Sequence, residues 1–404
     1  MYTEISKNPK HFFNFESEEI FMGESAFLSD VKSNIDRLKQ GKLAYDRFMG
    51  REIDERVVRV GVIGCGDMGG AHFAGLNNVN NCKYTCTCDI LEDRAIKAAE
   101  VLGAEHHFTD YKDMLPYVDA VMVVLPHALH YEVSKFFLEN DKHVSCEKPL
   151  CMNEEECADL VRIADEHNVK LMCAYPVPFW PAVQLMKKFI DEKTYGDVIQ
   201  MSIWTEQYTN PLLAGIPWGA TKESLGGGQL FSHGCHYIDV LLRLLGNPVS
   251  GVHYGSRVGS EWLEGEGTSN VLMNFENGAT AYHFATWAAR GSRNRYTFQI
   301  HFTEAFLNYE VFDETMTVSR FWGPDLSLSD PITLTWKFEA DSDTRHHTEI
   351  ENQHFIDCIL NDKTPITNGK DAIQSLRVIW KLYEAEEKGE IADLRGLGFE
   401  SNKK

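Results

Sequence analysis

A nearly continuous apolar run, Val57-Val58-Arg59-Val60-Gly61-Val62-Ile63, leads straight into Gly64-Cys65-Gly66-Asp67-Met68-Gly69. No other segment limits the possible folds as tightly. The run has strand length and suits a strand covered on both faces. The glycines stand in GxGxxG spacing and open a helix-like stretch from Met68 to about Leu76, the context in which this motif cradles a dinucleotide. Gly64 permits the tight turn, Gly66 lets the backbone approach a pyrophosphate, and Gly69 lets the helix pack on its strand. Asp67 and Met68, inside the motif, are cofactor-binding candidates with them, since N–H groups at a helix start face the phosphates. Asp89 ends the next strand candidate, KYTCTCD, twenty residues after Gly69. A carboxylate there accepts from both ribose hydroxyls and repels a 2′-phosphate, so NAD is the expected cofactor rather than NADP.

Further strand candidates are Val118–Pro126, His143–Lys148 and Val169–Tyr175, separated by helical segments. The clearest helix, Asn153–His167, opens with Asn153 as N-cap and Glu156 three residues on, a capping-box pattern. This alternation predicts an α/β fold whose N-terminal sheet is parallel and doubly wound. After Tyr175 strand-like runs follow one another, from VIQMSIWTEQY through ITLTWKF, with a hairpin signal at Asn277-Gly278 and a helix from about Gly228 to Leu245. The expectation is a C-terminal α+β domain with a large, mostly antiparallel open sheet, closed by helices near Glu351–Asn361 and Asp371–Glu387. The expected division is a leader or arm at 1–52, a dinucleotide-binding domain at 53–175, and a substrate-binding and oligomerisation domain at 176–404. A helix-like tract from Ser29 marks the leader, and the C-terminal helices are placed either in the second domain or back on the first.

Composition narrows the function classes. With 39 Lys plus Arg against 60 Asp plus Glu, the formal charge is −21, which repels phosphate backbones and anionic membranes. No nucleic-acid partner and no membrane partner is expected. No apolar stretch approaches the ~20 residues that span a bilayer, and the first residues lack a signal-peptide core. A cytoplasmic location follows. The ten cysteines are scattered, without paired CxxC zinc spacing, so reduced thiols and no metal site are expected.

Two later motifs carry chemistry. Cys146-Glu147-Lys148-Pro149-Leu150 ends a strand of the first sheet, and ligands bind at the carboxyl ends of such strands, so Lys148 is expected beside the nicotinamide. The second runs from Gly226 to Asp239, GGGQLFSHGCHYID. On a helix Ser232 and His233 share a side with His236, and an imidazole there suits proton transfer near neutral pH. Asp239, one turn on, either orients His236 or caps local structure.

These motifs in this order resemble the Gfo/Idh/MocA oxidoreductase family, from about Arg59 to the C-terminus. The resemblance rests on VGVIGCGDMG, Asp89, LPHALH (Leu125–His130), CEKP, the GGG…GxH…D stretch, and CAYPVPFWPA (Cys173–Ala182). It implies a Rossmann domain, a substrate domain built on the open sheet, and a homo-oligomer (dimer or tetramer) associated through that sheet's outer face. It implies that Lys148 activates the substrate, that His236 is the acid/base, and that Leu125, Pro126, His130, Glu147 and Tyr175 line the nicotinamide half of the pocket. Two positions depart from the pattern. Ser232 stands where the family often has aspartate, and Val177 and Pro178 stand where it has arginines, so the pocket loses charge. His233 is a candidate for the missing polar group and for a catalytic part. Trp204, Trp218 and Trp287 are candidates to stack on a sugar ring or aglycone, with core packing the reading for at least two of them; Trp218 is the one taken as substrate-binding.

The expected activity is NAD-dependent hydride transfer from a secondary hydroxyl of a sugar, glycoside or polyol, with Lys148, Tyr175, Trp218, Ser232, His233 and His236 around the substrate. The alternative is a redox-neutral NAD-dependent glycosidase that oxidises, eliminates, adds water and re-reduces, using His233 as a second base.

Overall fold

A computed structural model describes residues 56–66, 68–70, 72, 79–292, 294–320, 332–338 and 348–402. The expected leader at 1–52, its tract from Ser29, and Asp67 lie outside the described residues.

The first sheet is built from β1 (Val58–Ile63), β2 (Cys82–Cys88), α1 (Glu92–Leu102), β3 (His106–Phe108), β4 (Ala120–Val123), α2 (His130–Glu139), β5 (His143–Glu147), α3 (Glu154–Glu166) and β6 (Leu171–Ala174). Its six strands are parallel in the order β3-β2-β1-β4-β5-β6. β4 and β6 are buried at every position, as strands covered by helices on both faces must be. The order reverses between β1 and β4, which opens a crevice at their carboxyl ends. The α3 cap forms as expected on one side, with Asn153 Oδ1 accepting from the Glu156 N–H at 2.9 Å. Glu156 reaches back one residue further than a capping box would, to the Met152 N–H at 3.3 Å.

The chain continues through α4 (Pro181–Asp191), β7 (Val198–Glu206), the short α5 (Lys222–Leu225), α6 (Cys235–Leu245), β8 (Pro248–Ser256), β9 (Thr268–Phe275), β10 (Thr280–Thr286), β11 (Tyr296–Phe302), β12 (Phe306–Glu310), β13 (Thr315–Arg320) and β14 (Ile332–Lys337). It ends with α7 (Thr348–Leu360), α8 (Gly369–Lys388) and β15 (Ala392–Asp393). The second sheet has nine strands in the order β14-β13-β12-β11-β7-β10-β9-β8-β15. Its pairs are antiparallel except β7 with β10, which are parallel. Strict alternation along β9, with Val271, Met273 and Phe275 inward and Leu272 and Asn274 outward, is the period-2 signature of a sheet covered on one face. α6 and α8 cover the inner face, sharing one apolar core with it. α7 returns to the first sheet, packing Phe355 and Ile356 against Val58, Val60 and Val62.

Three local features differ from expectation. The Asn277-Gly278 hairpin exists, but Gly278 alone of the pair is left-handed (φ 86°), and its N–H closes the turn on Phe275 O at 3.0 Å, so it is not the type I′ turn. β12 was missed, because FLNYE is short and mixed in polarity. The helix expected from Gly228 starts instead as one π turn, Leu230–Gly234, before α6.

The glycines before the π turn have a packing reason. A Cβ on Gly228 would lie 2.5 Å from the Glu266 backbone nitrogen, and one on Gly265 would lie 2.5 Å from the Gly228 Cα. Two backbones cross there without side chains between them. The Tyr383 hydroxyl accepts from the Gly228 and Phe231 N–H groups (3.4 and 3.2 Å) and donates to Glu266 Oε1 at 2.6 Å. Tyr383→Phe strands these buried groups and is expected to lower stability by about 1–3 kcal/mol, read from the urea unfolding midpoint.

Candidate active site at the strand ends

Gly64 has φ 93°, and a Cβ there would overlap the Val124 carbonyl oxygen, so the β1 turn runs against the end of β4. Gly66 is different. A Cβ on it would meet nothing nearer than Arg94 Nη1 at 3.8 Å. Packing does not call for glycine at that position; open space over the backbone does, and that is the cradle a pyrophosphate requires. Asp89 is held facing this turn, Oδ2 accepting from the Cys65 N–H and Oδ1 from the Leu91 N–H, both at 2.9 Å. Each oxygen keeps a lone pair for a ribose hydroxyl. Met68 is exposed beside the buried Gly69. Leu125 and Pro126, half-buried after β4, face the crevice from its other side. The residues present therefore fit a dinucleotide.

Lys148 follows β5 and is half-buried. Its Nζ donates to the Ser232 carbonyl at 3.1 Å, across to the π turn. π turns recur at functional sites because they release and re-aim backbone groups. Glu147 is 8% exposed, and both its oxygens are occupied: Oε1 by His72 Nε2 at 2.6 Å, Oε2 by the Lys148 N–H at 3.0 Å. Burial pushes its pKa up, but the His72 hydrogen bond and charge prevail and hold it at about 2.

His236 lies one turn beyond Ser232, its ring 5.6 Å from Tyr175 and 5.8 Å from His233. His233 is engaged at both nitrogens. Nδ1 accepts from Gln229 Nε2 at 3.2 Å, and Nε2 shares a hydrogen with the Tyr296 hydroxyl at 3.2 Å, which donates on to Gln207 Oε1 at 2.8 Å. The chain assigns the His233 proton to Nε2.

Several expected site residues sit differently. His130 and Tyr175 are wholly buried, so neither lines an open pocket. His130 instead ties two turns together, one nitrogen on Leu125 O and the other on Pro149 O, both at 2.8 Å. Tyr175 backs His236 and lies by the Cys235 thiol. Glu147 faces His72 and its own neighbour rather than the nicotinamide. Ser232 is 6% exposed and contributes its carbonyl, not its hydroxyl. Asp239 does not orient His236; it pairs with Arg243 at 3.2 Å and accepts from Ser375 at 3.3 Å. Burial raises its pKa, against Arg243. Trp287 is core with Leu225 and Leu263, and Trp204 packs outward on Tyr282 and Phe284. Trp218 remains half-buried, edge-on to His127 at 5.2 Å.

Three residues escaped the sequence reading. Arg94, in the first turn of α1, lies nearest the Gly66 cradle; its signal was a cation five residues after the strand-end acid. His127 places Nδ1 on Leu225 O at 2.9 Å; its pKa is depressed first by burial and then by Lys148, against the carbonyl bond, which raises it. His72 stands three residues after Gly69, on the face that packs toward β5.

Comparison with known proteins agrees with this arrangement. Residues 58–175 match the oxidoreductase family model with an NAD-binding Rossmann fold, and residues 183–308 match the GFO/IDH/MocA C-terminal domain. The chain is 28% identical over 300 residues to levoglucosan dehydrogenase of Pseudarthrobacter phenanthrenivorans, covering 64% of this chain and 75% of that protein. It is 28% identical over 333 residues to scyllo-inositol 2-dehydrogenase (NAD(+)) of Bacillus subtilis, covering 80% and 92%. A solved structure of levoglucosan dehydrogenase with NADH and levoglucosan superimposes with a TM-score of 0.75 at 23% identity, over 84% of this chain and 99% of that one. A two-sheet fold with a glycine-cradled dinucleotide site and a strand-end lysine defines an NAD-dependent oxidoreductase. The chain belongs to the Gfo/Idh/MocA family.

The two glycines of the turn should separate folding from binding. Gly64→Ala is expected to lose about 1–3 kcal/mol from backbone strain alone, and more from the overlap, in a denaturant titration. Gly66→Ala should stay within about 0.5 kcal/mol of the parent while NAD binding, followed by calorimetry, weakens at least tenfold.

Proposed function

We propose that this protein oxidises a secondary hydroxyl of a sugar, glycoside or polyol, with NAD as hydride acceptor, to give a keto product. The observation that carries the reading is Lys148 Nζ held on the Ser232 carbonyl one helical turn from His236, at the mouth of the dinucleotide crevice. The compounds named for the two relatives, levoglucosan and scyllo-inositol, are polyhydroxylated rings, which supports a ring carbinol as substrate.

NAD, when bound through Gly64, Gly66, Gly69 and Asp89, supplies the hydride acceptor. Lys148 Nζ donates to the substrate hydroxyl oxygen and stabilises the negative charge that develops on it. His236 takes the hydroxyl proton. His233, fixed by Gln229 and Tyr296, holds a pocket wall. Trp218 offers a ring face beside His127.

The redox-neutral glycosidase needs a further base. His233 is poorly suited to it, because its Nδ1 lone pair is already occupied by Gln229. We also propose that copies associate through the outer face of the nine-stranded sheet. Tyr254 (68% exposed) and Leu272 (47% exposed) stand on that face in neighbouring strands, with Trp204, Tyr282 and Phe284 beside them, a cluster of apolar and aromatic side chains of the kind that interfaces cover. A cytoplasmic location is supported by ten unbridged cysteines, nine of them buried. No helix among the described residues is long and apolar enough to cross a membrane.

Incubation with NAD and a panel of sugars, polyols and glycosides tests the activity. A rise at 340 nm with a product two mass units lighter is expected; free aglycone without net NADH would replace this reading by the glycosidase. Lys148→Met should lower kcat by about 10²–10³-fold, the scale of losing one transition-state donor, with NAD affinity nearly unchanged. Equal loss of both would remove the assigned role. Leu272→Glu should halve the assembly mass in sedimentation; an unchanged mass would rule out the sheet face.

A further inference from the structure

We propose that His72 is a positioning residue: through the Glu147 carboxylate it ties the helix after the glycine loop to the backbone of Lys148. The proposal rests on the reading of Lys148 given above, and its test is built to fail separately from it.

The link is short, and its His72–Glu147 half is buried. His72 is 1% exposed and its Nε2 lies 2.6 Å from Glu147 Oε1. The other oxygen of the same carboxylate takes the Lys148 N–H at 3.0 Å. One carboxylate thus bridges residues 72 and 148. His72 rides on the segment whose start cradles the pyrophosphate, so cofactor site and lysine share a rigid connection. A buried carboxylate is costly unless it is both paired and hydrogen-bonded. Glu147 meets that condition through His72 and the Lys148 N–H.

The groups around Glu147 explain why His72 matters to it. Glu351, on α7, is wholly buried, its oxygens have no partner among the described residues, and its pKa is raised by burial and then by the Glu147 charge. That neighbour supplies no counter-charge. His130, on α2, is buried with both nitrogens on carbonyls, and burial lowers its pKa. Burial likewise lowers the pKa of His127. Burial raises the pKa of the Cys146 and Cys173 thiols beside it. Lys148 directs its Nζ away, to Ser232. His72 is therefore the largest of the contributions that keep Glu147 charged, ahead of Lys148 and His130. Without it burial dominates and Glu147 gains a proton at a higher pH. The neutral acid then holds the Lys148 N–H less firmly, and Lys148 loses its fixed reach to Ser232.

The sign of the pH effect follows. Glu147 in the parent protein titrates at about 2, so it is charged throughout the working range. In His72→Leu its pKa rises, and activity is lost as pH falls through the new value. We expect kcat for His72→Leu to fall at least tenfold, with the KM values for NAD and sugar within about threefold and a second titration on the acid limb, beyond the one that His236 gives the parent. His72→Gln retains an N–H donor and should recover most of kcat and the parent profile. The double variant His72→Leu/Glu147→Gln has no carboxylate to titrate and should lose that second titration while staying slow. His72→Leu with the parent pH profile, or NAD affinity falling in step with kcat, would overturn the proposal. Acid unfolding of cofactor-free protein reads the same link without any substrate. Its midpoint should rise by about one pH unit in His72→Leu and return toward the parent in the double variant. If the parent oxidises no sugar, the functional reading fails, while the unfolding series still decides the His72–Glu147 link.

Discussion

Lys148 leaves the end of a parallel strand and places its Nζ on the carbonyl of Ser232, eighty-four residues away on the second sheet's helix. Nothing else in the site makes sense without that contact. It sets the crevice of the first sheet against the inner face of the second. The carbonyl it reaches belongs to the π turn that begins the helix carrying His236. The turn is held from behind by Tyr383 and Glu266, and its approach runs through glycines because another backbone crosses there. The lysine is held from its own side by Glu147.

Much of this was legible in the sequence because it follows from periodicity and turn chemistry. A doubly apolar strand, glycines at fixed offsets and an acid at the next strand end can be recognised without tertiary information. The antiparallel second sheet was legible from alternation along strands such as SNVLMNF. What escaped was what depends on distance in space. Sequence could not show that His130 and Tyr175 lie beneath the surface, whereas the pairing of Asp239 with Arg243, one helical turn on, is an i,i+4 signal that the motif around His236 overshadowed. His72 stood three residues from the most prominent motif, yet its partner is seventy-five residues on. Ser232 was read by its side chain, whereas the structure uses its backbone, which any residue supplies. The arm at 1–52 lies outside the described residues.

The electrostatics of the site follow one pattern. Near the crevice of this acidic chain stand the cations Lys148 and Arg94, and around Lys148 lie buried histidines whose pKa values burial lowers. His127 and His130 bind carbonyls rather than carboxylates, and burial is the largest cause lowering the pKa of each, with the carbonyl bonds opposing it. Glu147 is the buried anion, and it is committed to backbone and His72. In the proposed reaction the hydroxyl proton goes to His236, and the developing alkoxide charge meets Lys148.

The account stands or falls on whether Lys148 acts in the hydride-transfer step. The direct measurement is the isotope effect on kcat/KM with the reacting carbinol carbon deuterated, in the parent protein and in Lys148→Met. A larger isotope effect in the variant is predicted, because loss of the donor raises the barrier to hydride transfer until that step limits the rate. A slow variant with no isotope effect would contradict the account, since it would mean that Lys148 governs binding or release and leaves the chemistry to other groups.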